Sequence, residues 1–222
     1  MTILQFIRVN ITYRIRQFGL VNAVRQLIRF FIRPIYIKNE DNVLAIIQRK
    51  PISPELYSNV MPLTIELISS NRTKWGIDEK KASVWINLLK NGCKGFVVEK
   101  DGEIAGYGFV QFTGVYKFGR TGKFMIPHST AVLKNLFVDY KYRGQGIGKQ
   151  INAARIASIP ENYIPIGFVI PENKYAIRNL KMYGFEEILK IKRSIWLGRW
   201  IKQKITIYAN NEITKQIIAG LE

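Results

Sequence analysis

The chain has 222 residues, 47% of them hydrophobic, and a formal net charge of +18. That size predicts one domain, or one domain with appendages, able to bury its own core without staples. One cysteine, Cys93, excludes a disulfide framework and fits a reducing compartment; with one histidine, His128, it cannot make the usual four-ligand zinc site, so no metal is expected.

The first 36 residues carry six arginines (Arg8, Arg14, Arg16, Arg25, Arg29, Arg33) and no acid. Such a balance favours polyanions: coenzyme phosphates, nucleic acid or an anionic membrane surface. "GLVNAVRQLIRFFIRP", residues 19–34, sets Leu20, Val24, Leu27, Ile28 and Phe31 against Arg25, Arg29 and Arg33, which predicts an amphipathic basic helix closed by Pro34. Before it, Val9 to Ile15 alternates and leaves strand and helix both open. The helix packs on the domain or lies on lipid; composition leaves both readings standing. No run approaches the ~20 apolar residues of a span. Arginines interrupt the apolar positions, no small-residue cleavage site follows, and the first fifty residues lack serine, so neither a secretory signal nor a mitochondrial presequence is expected.

"NEDN", residues 39–42, breaks the basic run and is expected to mark a boundary, giving an arm (1–38), a domain (39–200) and a tail of uncertain form (201–222). "VLAIIQRK" then reads as a first strand. Leu63 to Leu89 is helical material stopped by Asn91-Gly92, and Cys93 reads as a small core residue. "KGFVVEKDGEIAGYGFVQF" is a hairpin turning at Asp101-Gly102. "AVLKNLFVD", residues 131–139, is a short buried strand.

"YRGQGIGKQ", residues 142–150, follows that strand. Its spacing fails a Walker A loop, because Arg143 stands where the first glycine is needed and Gln150 where Ser or Thr is needed. It fails the dinucleotide fingerprint too, because the third glycine place holds Lys149. After it, Ile147, Ile151 and Ala154 share one helical face. The unit is strand, glycine turn, helix. Free N–H groups at the helix start, reached without meeting a Cβ and flanked by Arg143 and Lys149, predict a phosphate cradle.

These residues resemble the GNAT (GCN5-related N-acetyltransferase) superfamily. Arg143 to Gly148 is similar to its R/Q-x-x-G-x-G/A motif. Downstream, "NKYAIRNLKMYGFEEI" resembles its second signature, with Asn173, Ala176, Gly184 and Phe185 in place. The likeness covers Val43 to Trp200 in layout and Leu136 to Ile188 in motif residues. It implies an α+β fold: a mixed, mostly antiparallel sheet flanked by helices, here with the basic N-terminal arm added. It also implies acetyl-CoA as co-substrate, held by the backbone of Leu136, Phe137 and Val138, by Arg143, Gly144, Gln145, Gly146, Ile147, Gly148 and Lys149, and by Asn173.

The catalytic residues depart from the pattern. The family's tyrosine, seven residues after the asparagine, is Leu180 here. Tyr183, one turn on and roughly 60° around the helix, is the candidate acid, against a reading in which it packs beside Phe185. The glutamate found on the strand in some members is Val132 here. His128, four residues earlier, is expected to share that face and is the candidate base, beside the reading of a structural histidine with an ordered water or a neutral amine instead. The resemblance implies acetyl or acyl transfer to a primary amine by direct attack on the thioester. An amino sugar of surface-polysaccharide synthesis is the expected acceptor and a protein or peptide amine the alternative. A degenerate scaffold bound to nucleic acid or membrane is the other class, disfavoured because it would have no use for the glycines. Nucleic acid is not the expected partner. A cytoplasmic enzyme is expected, at an anionic membrane surface through residues 1–34.

Overall fold

The computed structural model describes residues 36–119, 122–197 and 200–221. The basic helix read over 19–34 and its membrane contact lie outside the described residues. Ten strands and five helices follow in order: β1 (Tyr36–Ile46), β2 (Met61–Leu63), α1 (Ile65–Asn71), α2 (Glu79–Lys90), β3 (Lys94–Lys100), β4 (Glu103–Gln111), β5 (Val115–Phe118), β6 (Gly122–Met125), β7 (Thr130–Val138), α3 (Ile147–Ala157), β8 (Ile164–Val169), α4 (Lys174–Met182), β9 (Phe185–Trp196), β10 (Trp200–Ile207) and α5 (Glu212–Ala219). Local chemistry sets several limits. Thr64, Asp78 and Asn211 cap α1, α2 and α5 by accepting the N–H groups of Leu67, Lys81 and Thr214. Asn91 and Gly92 (φ +77°) end α2, and Asp101-Gly102, both at positive φ, turn the β3–β4 hairpin.

Eight strands make one sheet in the order β10-β9-β1-β8-β7-β4-β3-β2, and β5–β6 form a separate hairpin. Neighbours are antiparallel except β7 and β8. This is the α+β fold with a mixed, mostly antiparallel sheet flanked by helices. On one face α3 and α4 bury Leu44, Ile46, Leu133, Ile147, Ile151 and Leu180. On the other, α1 and α2 cover Leu63, Val97 and Phe109 at one end, with Cys93 in that core, while the β5–β6 hairpin and α5 cover Val43, Val132, Ile166 and Ile191 at the other. The edges resist pairing with other chains: β2 is three residues long with Pro62 in it, and β10 carries Lys202 and Lys204.

Three expectations are corrected. Asn39 to Asn42 is no break but the middle of β1, because its polar residues find cross-strand partners: Glu40 pairs with Lys190 at 3.0 Å and with Lys192 at 3.7 Å. The limit drawn after residue 38 therefore falls inside β1. The limit after residue 200 falls inside β10, and the "tail" is an edge strand plus a helix that seals one core with Ile217. His128 is not on β7: it is exposed in the turn before it, and Ser129 at φ +59° breaks the alternation that would have put it on the face of Val132. The β5–β6 hairpin was not anticipated.

Candidate active site

The glycine turn is built for an open backbone. Gly144 and Gly146 sit at φ +83° and +79°, where other residues are strained, and an added Cβ on either would meet nothing within 4 Å. Gly146 is the N-cap of α3. No described backbone carbonyl takes the N–H groups of Gln145, Gly146, Ile147 or Gly148; the first so taken is Lys149 N–H, which reaches Gly146 O at 2.9 Å. The positive end of α3 therefore faces outward. Side chains hold the loop still: Arg143 Nε donates to Val138 O at 3.3 Å and Lys100 Nζ to Gln145 Oε1 at 2.5 Å. Clefts of ≈ 570 and ≈ 550 Å³ flank the first turn of α3, one toward Ser58, Met61 and Val98, the other toward Ile52, Met182 and Tyr183.

From that turn a stripe at helical spacing, Gly148, Asn152 and Arg155, runs along α3. It lies over a split in the sheet. The parallel rungs of β7 and β8 end at Leu133↔Gly167, while β7 continues to Val138. β7 also bulges there: its pairing with β4 slips between Tyr107↔Phe137 and Phe109↔Lys134, with Asn135 at φ +53°. Arg155, 2% exposed, donates from Nη1 to Lys134 O at 3.4 Å. It passes under Gly108, where a Cβ would stand 2.7 Å from Nη1. Burial pushes its pKa down to about 9, so it stays cationic at neutral pH. Both amide atoms of Asn152, Asn179 Oδ1 and Arg155 Nε are buried without a hydrogen-bond partner. A Cβ on Gly148 would touch Asn179 Nδ2 and Val138 Cγ2, each at 3.4 Å, so Asn179 stands across the groove from α3. Buried amides are ordinarily paired. Here four such atoms lie together on α3 and α4.

On the other face of the split the walls are aromatic. Tyr107 stacks on Phe137 with centroids 5.2 Å apart, and Lys81 Nζ lies 5.0–5.6 Å from the rings of Tyr107, Trp85 and Phe137. Burial lowers the Lys81 pKa. Lys134 Nζ donates to Gln111 Oε1 at 3.0 Å and stands 5.8 Å from the Tyr116 ring. Burial pushes the Tyr116 hydroxyl up to about 12. Burial first, then the charges of Glu172 and Glu40, push the Asp41 carboxyl up to about 6.

Of the residues named from the sequence, the structure brings Val138, Arg143 and Gly148 together at the glycine turn, with Asn179 of α4 beside Gly148. It gives two named residues other tasks. Asn173 is the N-cap of α4, accepting Ala176 N–H at 3.1 Å. Tyr183 closes α4 and its hydroxyl donates to Lys149 O at 2.8 Å, so it clamps α4 to α3 beside the glycine turn. Leu180, in the family's tyrosine position, fills the space over Gly167, whose Cβ would stand 2.9 Å from Leu180 Cδ1. His128 Nδ1 lies 3.0 Å from Ser129 Oγ, at the opposite end of β7 from the turn. Asn152, Arg155, Tyr116 and Asp41 were missed. Only the first two had a signal, as polar residues on a helix otherwise buried.

A family model described as the acetyltransferase (GNAT) family matches residues 62–185, more than half of the chain. No curated protein matches it. Among solved structures, a protein described as an acetyltransferase of the GNAT family from Novosphingobium aromaticivorans superposes with a TM-score of 0.52 at 14% identity, over 78% of this chain and 66% of that one. A GCN5-related N-acetyltransferase-like protein from Streptococcus suis gives 0.48 at 12% identity, over 78% and 68%. An aminoglycoside N-acetyltransferase solved with CoA gives 0.41 at 15% identity, over 58% and 91%. The chain thus spans about two thirds of the length of the first two.

Proposed function

The chain belongs to the GNAT acetyltransferase family, and from that premise we propose that it is an N-acetyltransferase moving an acetyl group from acetyl-CoA to a primary amine. The observation that carries the reading is the start of α3: open N–H groups at the glycine turn, Val138 and Asn179 beside Gly148, the unpartnered amide of Asn152 one turn on, and the split between β7 and β8. Together these groups suit the coenzyme's pyrophosphate, amide-bearing arm and thioester. When bound, acetyl-CoA supplies an activated acyl carbon. The chain supplies the rest. The α3 N-terminus, Arg143 and Lys149 hold negative charge. Asn152 and Asn179 offer their unpartnered amide atoms to the amides of the arm. Arg155 fixes the bulge, so that the β7 backbone beyond it faces the split rather than β8.

Calorimetry with acetyl-CoA tests this. Gly146→Asn keeps a residue that tolerates the left-handed backbone but puts a side chain over the open N–H groups. Affinity should fall at least tenfold while the melting temperature moves by a few degrees. Equal affinity would remove the cradle.

The proposed acceptor is an amino sugar of surface-polysaccharide synthesis, with a protein amine as the competitor. A second reading, contact with an anionic membrane surface through residues 1–34, is supported by one described feature. Trp196, Trp200 and Ile201 are 51%, 64% and 53% exposed beside Lys202 and Lys204, and Tyr36, where the basic segment joins the sheet, packs on Trp196 at 4.5 Å.

A further inference from the structure

We infer that Asp41 receives the acceptor's amine on the face of the sheet opposite α3 and takes its proton, with Glu172 as the second carboxylate facing the ammonium form. The inference deepens the acyl-transfer reading and rests on it.

Register puts Asp41 at the right level. Asn42 pairs with Val169, so Asp41 lies beside Ile170, one residue past the end of β8. Three residues beyond the last parallel rung, Leu133↔Gly167, stand Leu136 on β7 and Ile170 on β8. Asp41 and Ile170 are neighbours across β1 and β8, and Leu136 stands across the split on β7, just past the bulge at Asn135. Alternation fixes the face. Leu44 and Ile46 pack with α3 residues, whereas Val43 and Ala45 pack with Phe118 and Phe124 of the hairpin. Asp41 shares the hairpin face with Val43. A coenzyme entering from the α3 face and an amine entering from the hairpin face would meet at the split.

Asp41 is 6% exposed, yet no described residue donates a hydrogen bond to it or forms an ion pair with it. Glu172 in the turn after β8 and the Tyr116 hydroxyl of β5 act on it electrostatically, as does Glu40 from the opposite face of β1, where it pairs with Lys190; Arg193 of β9 shares the Asp41 face, over the Phe118 ring. Two carboxylates whose charges oppose one another beside aromatic walls suit a cation. In a chain of net charge +18 that local sign is selective.

The step balances as follows. The ammonium gives one proton to the Asp41 carboxylate. The freed nitrogen lone pair forms the N–C bond to the acyl carbon while the C–S bond breaks, its electron pair leaving on sulfur. The nitrogen's surplus proton goes to that sulfur, giving amide and thiol, and Asp41 returns its proton to solvent.

The test uses the full chain with hexylammonium chloride as the amine probe. In carboxyl ¹³C NMR, the resonance absent from Asp41→Asn should titrate above the usual aspartate range and shift with hexylammonium but not with equal potassium chloride. In a thiol-release assay with acetyl-CoA and hexylamine, Asp41→Asn should be slower on the order of 10²-fold, with unchanged coenzyme affinity by calorimetry. Glu172→Gln should raise KM for the amine several-fold and leave kcat. An Asp41 resonance indifferent to hexylammonium, or an Asp41→Asn rate within twofold of the parent, would overturn the inference. A parent chain that binds no acetyl-CoA would instead overturn the acyl-transfer reading beneath it.

Discussion

Asp41 has a stability signature separate from any turnover. Its carboxyl is raised from 3.8 to about 6 in the folded chain, first by burial and then by Glu172 and Glu40. A raised carboxyl favours folding while protonated. Its favourable contribution is complete below pH 3.8, declines as pH rises through about 6, and is absent at neutral pH. At ~1.4 kcal/mol per pKa unit, the ionised group opposes folding there by up to about 3 kcal/mol. Asp41→Asn should therefore raise the unfolding free energy at pH 7.5 by up to that amount, and the gain should vanish below pH 4. Denaturant melts of both proteins at the two pH values would measure it, and a gain independent of pH would mean the carboxyl is not perturbed. Carboxyls perturbed in this way cluster at functional sites. His128, whose side chain is exposed and bonded to its own neighbour, shows no comparable tension.

The element that organises the site is α3, because one face of it reads out three jobs at successive turns: open N–H groups at Gly148, an unpaired amide at Asn152, and the bulge anchor at Arg155. Arg155→Met keeps the stem's bulk and removes a buried cation with no carboxylate partner. Exchanges of buried charge for apolar volume are often neutral or stabilising. The melting temperature should hold or rise while thiol release falls more than tenfold, because Lys134 O loses the donor that fixes the bulge. Loss of fold and activity together would make Arg155 a core residue only. Much of this element was legible in the sequence, since a strand, a glycine turn and a helix start are set by neighbours a few residues apart. The same holds for α4 and its Asn173 cap. β1 was not legible at Asn39 to Asn42, because polar residues read as loop until Lys190 and Lys192, some 150 positions away, supply their partners. The β5–β6 hairpin was hidden for a related reason. Its strands are four residues each, and Phe118 and Phe124 declare themselves only by packing on Phe168 of the main sheet. Asp41 was invisible as a site, for its setting is assembled by β8, β5 and the turn holding Glu172.

At the scale of the whole molecule, charge and shape give the middle of the sheet and its β10 edge different roles. Asp41 on β1 and Glu172 after β8 lie near the middle, while the β9–β10 end carries lysines and exposed aromatics. No described helix is long and apolar enough to cross a membrane, so any lipid contact of these helices is at a surface. Trp and Lys side by side suit an interface, where rings sit among headgroups and ammonium groups meet lipid phosphate. Tyr36, the first described residue after the segment with the six arginines, packs on Trp196 at this same end. The full chain should therefore sediment with vesicles containing phosphatidylserine and not with pure phosphatidylcholine. Binding should weaken as salt shortens the Debye length from ~10 Å at 0.1 M toward ~3 Å at 1 M. Arg25→Glu with Arg29→Glu should weaken the charge-dependent part, and Trp200→Ala the part that survives high salt, each without touching acetyl-CoA affinity, because the groove of α3 lies beyond β1 and β8. Equal sedimentation with both vesicle types, or with neither, would sink the surface reading. The basic segment would then act on the protein itself, and its removal should lower the melting temperature rather than lipid binding.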